Sequence, residues 1–328
     1  MSHYFSYIGA VLSAFAISAQ AQAQTSAPAQ APQRWILSQP AGSGPDNVAR
    51  LLADRLAKVT QQPIVIDNKP GGQNTIGALA AKNAAADGNN FYFATTAALI
   101  TNPLLFKSLP YETGKDFTPV AFIARSPFAV IVEASSPITS IADLIAKSKA
   151  SPDTISIGNE GPRTFSGMIA RLFNARSGAR ANLVPYASVT AGTQNLLGKH
   201  IDVMVADLAS TAQLIKQGKL RVLATTSAQR VTGWDATPAL AETSAIFAGF
   251  DMVGWFAIVA PAGTSAAVIE RMNGQINALL KDGDTAQRIA AMGPIADGTQ
   301  SVAQVGAFLR SETAQWTAAT KELGVLPE

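Results

Sequence analysis

Residues 35–60 read WILSQPAGSGPDNVARLLADRLAKVT, and this stretch decides the fold. Trp35-Ile36-Leu37 is a short apolar run of strand type, and Ala41-Gly42-Ser43-Gly44 is a glycine-rich turn. Pro45 suits a first helical turn, where its missing N–H costs nothing. From there Val48, Leu51, Leu52, Leu56 and Val59 recur at three-to-four spacing, which predicts one apolar helical face as far as Thr60. Strand, glycine turn and helix in that order open a β–α unit, whose next strand lies parallel to the first.

The alternation continues on either side of a centre near residue 120. Ile64-Val65-Ile66 is the next strand, Thr75 to Ala86 an Ala-rich helix, and Asn90 to Thr95 a third strand. A second series follows Pro119. Val120–Ile123 and Ala129–Val132 read as strands split by Ser126-Pro127, and Ser140-Ile141-Ala142-Asp143 reads as a capping box. Strands near 154–158, 182–186, 201–205 and 220–225 alternate with helices near 164–177, 190–197 and 210–217. Met252 to Val259 is a strand long enough to cross between domains, and three helical patterns close the chain. The expected architecture is α/β, with residues 34–126 and 253–328 forming one domain and 127–252 inserted as a second. Two crossover strands would join them and leave a cleft between, where ligand sites tend to lie.

Composition narrows the chemistry. The chain has 328 residues and no cysteine, so disulfides, thiolate nucleophiles and cysteine-held metals are excluded. With 25 Lys+Arg against 22 Asp+Glu and no basic run, nucleic acid is not an expected partner. No Lys, Arg, Asp or Glu precedes Arg34, and Ile8 to Ser18 is an apolar run too short to span a bilayer. Small residues then follow in the pattern Ala19-Gln20-Ala21 and Ala21-Gln22-Ala23. Residues 1–23 are therefore expected to be an export signal, residues 24–33 a linker, and the mature protein a periplasmic monomer.

Few residues offer chemistry. The turn Gly42, Ser43, Gly44, Pro45, Asp46 places free N–H groups at a helix start, which suits an anion. Thr95 and Thr96 end the third strand with two hydroxyls. Gly158 to Ser166 (GNEGPRTFS) joins a strand to a helix, with Asn159, Arg163, Thr164, Phe165 and Ser166 as candidate ligand contacts. Tyr186, Ser188 and Asp207 mark further strand ends. An enzyme fits poorly: His200 lies in a turn, no G-x-S-x-G elbow occurs, and no spacing suits a metal. No cofactor or metal is expected. An NAD-linked oxidoreductase, resting on Gly42-x-Gly44 and Asp67, is the alternative from another class.

In order and spacing, these motifs resemble those of the Bug-type solute-binding proteins of tripartite tricarboxylate transporters. The family's P-G-G-S-x-D-x-x-A-R turn is met by Gly42 to Arg50, with Gly and Ser exchanged. Its E-N-x-P-G-A-G-G-x-I-G motif corresponds to Asp67 to Gly77. Asn102 to Phe106, Leu109 to Tyr111, Asp116 to Val120, Val184-Pro185-Tyr186, Leu223 to Arg230 and Trp255-Phe256 follow the family as well. The resemblance implies a two-domain periplasmic-binding-protein (type II, Venus flytrap) fold that closes on a small carboxylate and delivers it to membrane permease subunits; a ligand-presenting sensor component would use the same closed form. It also implies that helix starts and loop backbone at Gly42–Asp46 and Gly161–Ser166 hold the carboxylate, with Asp207 nearby. Arg163 and Phe165 depart from the family's pattern, and so does Ala187-Ser188. A guanidinium beside a ring points to an aromatic dicarboxylate such as terephthalate.

Overall fold

The computed structural model describes residues 31–296, 299–322 and 324–327. The expected export signal, and residues 24–30 of the expected linker, lie outside them. Gln33, the last residue of that linker, already belongs to the first strand.

Nine strands occur among the described residues. They are β1 (Gln33–Leu37), β2 (Ile64–Asn68), β3 (Asn90–Thr95), β4 (Phe117–Glu133) and β5 (Ser156–Asn159), then β6 (Asn182–Pro185), β7 (Val203–Asp207), β8 (Leu220–Thr225) and β9 (Val253–Pro261). The helices of the first series are α1 (Gly44–Thr60), α2 (Thr75–Lys82), α3 (Asn102–Leu105) and α4 (Thr113–Asp116). Those of the second are α5 (Ile141–Ala150), α6 (Phe165–Ser177), α7 (Val189–Leu197), α8 (Leu208–Lys216) and α9 (Leu240–Thr243). The chain closes with α10 (Ala266–Lys281), α11 (Gly283–Ala291) and α12 (Val302–Glu322).

The sheet runs β2-β1-β3-β9-β4-β7-β5-β6, with β8 also paired to β4. β1 is parallel to both neighbours, as the β–α reading requires, whereas β9 runs antiparallel to β3 and β4. Side chains alternate across β1. Trp35 and Leu37 pack with Val48, Leu52 and Leu56 of α1, while Ile36 faces the opposite core with Tyr92 and Ala78. Val59 departs from its expected place and is 70% exposed. At 17 residues α1 is about 25 Å long, against about 17 Å for the 5 residues of β1, so the helix is longer than the strand it follows.

The expected split at Ser126-Pro127 does not occur. β4 runs unbroken for 17 residues, pairing with β9 as far as Pro127 and with β7 and β8 from Phe128 and Ala129 onward. Proline lacks a backbone donor, and Pro127 sits where β4 changes partners, so no ladder bond is lost. The next N–H, of Phe128, donates to Thr226 Oγ1 over 3.0 Å. The first helix after β2 ends at Lys82 rather than Ala86. A π-helical turn over Ala97–Thr101, followed by α3, fills a stretch to which periodicity assigns no element. Ser140 caps α5 as expected, accepting from the Asp143 N–H over 3.1 Å.

Candidate functional site

The starts of four helices meet at one cavity of about 100 Å³. Ser43 and Pro45 come from α1, Thr164 and Phe165 from α6, Ser188 and Val189 from α7, and Asp207 and Ser210 from α8. Thr95, Thr96, Ser126, Gly254 and Trp255 close it from the side where β3, β4 and β9 run together. Three of the helix starts carry their own side-chain caps. Thr164 accepts from the Gly167 N–H (3.2 Å), Ser188 from Ala191 (3.2 Å) and Asp207 Oδ1 from Ser210 (2.9 Å). At α1 the cap is different: the Ser43 hydroxyl turns back to the Pro40 carbonyl (2.7 Å), and the Gly44 N–H donates to Ser210 Oγ of α8 (2.9 Å).

Seven of the expected contacts therefore share this wall: Ser43, Thr95, Thr96, Thr164, Phe165, Ser188 and Asp207. The others stand behind it. Asp46 is buried, and burial opposes its ionisation; its bonds to Arg50, the Gly42 N–H and Asn68 more than offset this and hold the carboxyl below its usual range. It thereby fixes the Gly42–Gly44 turn. Asn159 Oδ1 accepts from the Gly161 N–H (2.8 Å), and Ser166 Oγ accepts from the Glu160 N–H (3.0 Å), so both shape the loop before α6. Tyr186 packs beside Gly158 and Gly192. The Arg163 guanidinium lies 4.9 Å over the Phe106 ring, off the cavity wall. Thr96 uses its oxygen to accept from the Trp255 N–H (2.8 Å), tying β3 to β9.

Among the described residues, the wall includes no Lys, Arg or His, but two acids, Glu160 and Asp207. Burial, and then the charge of Asp207, push the Glu160 carboxyl up to about 7, although the Ser166 hydroxyl and the Val189 N–H favour its ionised form. Burial likewise raises Asp207. Phe128, Phe165, Trp255 and Phe256 supply the apolar part of the wall. Phe165 lies 4.8 Å from Phe128 and 5.0 Å from Trp316, ring centre to ring centre. A dinucleotide is poorly served by a space this small with two acids in it. Asp67, which that reading would set against a ribose, instead pairs with Arg34 and lies 3.5 Å from Lys69.

The pattern that defines the tripartite tricarboxylate transporter family receptor matches residues 48–325. The chain belongs to this family. One relative of the receptor is a UPF0065 protein of Bordetella bronchiseptica, 34% identical over 283 residues, which are 86% of this chain and 82% of that protein. Among solved structures, R. palustris Rpa4515 with adipate superposes with a TM-score of 0.87 at 28% identity, covering 91% of this chain and 99% of that one. The periplasmic binding protein BugD does so with a TM-score of 0.84 at 26% identity, with coverages of 91% and 99%. The receptor thus has the two-domain fold of periplasmic solute-binding proteins of the Bug type. No helix among its described residues is long and apolar enough to cross a membrane.

Sequence reasoning misses much of the wall of the receptor's cavity, including three polar residues, Ser126, Gln39 and Glu160. Ser126 reads as part of a strand break, Gln39 lies between the first strand and its glycine turn, and Glu160 lies within the GNEGPRTFS loop without being singled out. Of the three, only Glu160 carries a signal: a carboxylate inside a glycine loop at a strand end, where buried charge needs a reason.

Proposed function

We propose that the protein is an exported, periplasmic solute-binding protein, not an enzyme. It takes a small organic carboxylate between its two lobes, closes on it and presents it to the permease subunits of a tripartite tricarboxylate-type transporter. The observation that carries this reading is a single cavity walled by helix starts and hydroxyls from both halves of the chain, bridged by the Gly44–Ser210 hydrogen bond. Adipate in the R. palustris neighbour supports the solute class. The proposed lobes are residues 34–126 with 253–328, and residues 127–252. Supporting these limits, β4 changes partners at Pro127 and β9 begins at Val253.

The cavity wall has the rings that an aromatic dicarboxylate such as terephthalate would need, but the cation expected to hold its far carboxylate is Arg163, which lies over Phe106. The proposed solute accordingly keeps an apolar body and one carboxylate set against N–H and O–H donors. Ligand that contacts both lobes favours the closed form by its extra contacts there. Calorimetry against a panel of carboxylates, after removal of copurified solute, tests the binding. Small-angle scattering with and without the acid that binds tests the closure. A scattering curve unchanged by a bound acid removes the closure step, and a panel with no binder removes the reading itself.

A further inference from the structure

The two acids of the cavity face an uneven set of partners. On one side stand three hydroxyls, Thr95, Thr96 and Ser126. The oxygens of Thr95 and Thr96 already accept, from Gln39 Nε2 (3.3 Å) and from the Trp255 N–H (2.8 Å), which leaves their protons to give. Ser126 is 1% exposed, and its hydroxyl has no partner among the described residues. A buried hydroxyl left unpaired in a cavity wall costs free energy until something fills it, and a carboxylate would accept from it. On the other side stand two acceptors, the Glu160 and Asp207 carboxyls.

A dicarboxylate dianion placed here would bring two further negative charges to a wall that has two acids and no base. Like charges in a low-dielectric space repel strongly, so a cation or a proton has to come with the solute. Asp207 Oδ1 is held by the Ser210 N–H, and the charge of Asp207 disfavours ionisation of the Glu160 carboxyl. A single positive group between them would relieve both.

We propose that Glu160 and Asp207 form an ammonium subsite, so that the solute is a small amino acid bound as a zwitterion, its carboxylate toward Thr95, Thr96 and Ser126. This rests on the carboxylate-receptor reading and narrows it. Glu160 and Asp207 are then the specificity-determining residues of the site.

Matched pairs test it by calorimetry on the solute-free protein: aspartate with succinate, glutamate with glutarate, phenylalanine with 3-phenylpropanoate, and 4-(aminomethyl)benzoate with 4-methylbenzoate. The expected result is that the amine-bearing member binds at least tenfold tighter in one or more pairs. Glu160→Gln, and independently Asp207→Asn, should bring that ratio to within threefold while the variant still unfolds cooperatively. Equal or tighter binding of the amine-free members overturns the subsite, as does a ratio that both variants leave intact. If adipate, malate or succinate binds and no amine-bearing acid does, the subsite falls and the carboxylate receptor stands. If nothing in the panel binds, both fall. The wild-type ratio decides the matter even where a variant does not fold.

Discussion

The Gly44 N–H and the Ser210 hydroxyl meet across 2.9 Å although 166 positions separate them in the chain, and their contact joins the start of α1 to the start of α8. A side chain at position 44 would collide with Asp207 Oδ1 and stand 2.8 Å from Ala209 Cβ. Gly44→Ala is expected to prevent full approach of α1 to α8. Affinity for the solute should fall at least tenfold and the scattering envelope with solute present should stay wide. Wild-type affinity in this variant would show that the approach is not needed.

Phe165 opens α6, is 4% exposed and touches both Phe128 and Trp316. Phe165→Ala removes a buried ring and leaves a cavity, a change that costs about 3–5 kcal/mol. Urea denaturation should show this as a lower midpoint at similar slope, and Phe165→Leu should recover more than half of the loss.

Glu160 gives stability a pH dependence of definite sign. Its carboxyl loses its proton near 7 in the folded chain, because of burial and then Asp207, and nearer the ordinary carboxylate range when unfolded. Between those values the folded state holds more protons, so this group's contribution falls as pH rises. Melting temperatures recorded from pH 4.5 to 8 should therefore decline more steeply in the wild type than in Glu160→Gln. Parallel curves for the two proteins would exclude Glu160 as the source.

Arg163 lies over the ring of Phe106, the residue just after α3. A contact of this kind is worth about 0.5–1 kcal/mol where solvent reaches it. Arg163→Ala should weaken solute binding by roughly two- to fivefold, the same for every acid that binds, because it acts on the approach of the lobes. A loss of about a hundredfold, confined to dicarboxylates, would instead make Arg163 a contact to the far carboxylate.

Much of the frame is readable in the chain because periodicity carries it. The strand at Trp35, the turn at Gly42 and the helix through Leu56 obey local rules, and their neighbours confirm them. What fails is what depends on distant partners. Ser126-Pro127 looks like a break until Thr226, 98 residues away, receives the Phe128 N–H. Asp46 looks like an anion-site residue until Asn68 of β2 and Arg50 take up its oxygens. Arg163 and Glu160 sit in one loop, but the side chain of the first goes over Phe106 and that of the second to the cavity wall. Spacing in sequence does not determine which of two loop residues turns inward.

β4 belongs to both halves of the sheet without interruption from Phe117 to Glu133. Side chains along a strand alternate faces, but extra residues in β4 where it pairs with β9, between Pro119 and Ala121 and between Phe122 and Ala124, reset the phase, and the alternation from Phe128 to Val132 is set after them. One residue inserted near Pro127 would send Val130 and Val132 to the face now taken by Ala129 and Ile131, while leaving the first half in order. The extra residues sit in the half of β4 that pairs with β9; from Phe128 on, where β7 and β8 flank it, the strand carries none of its own, so that half is the less tolerant of an added residue.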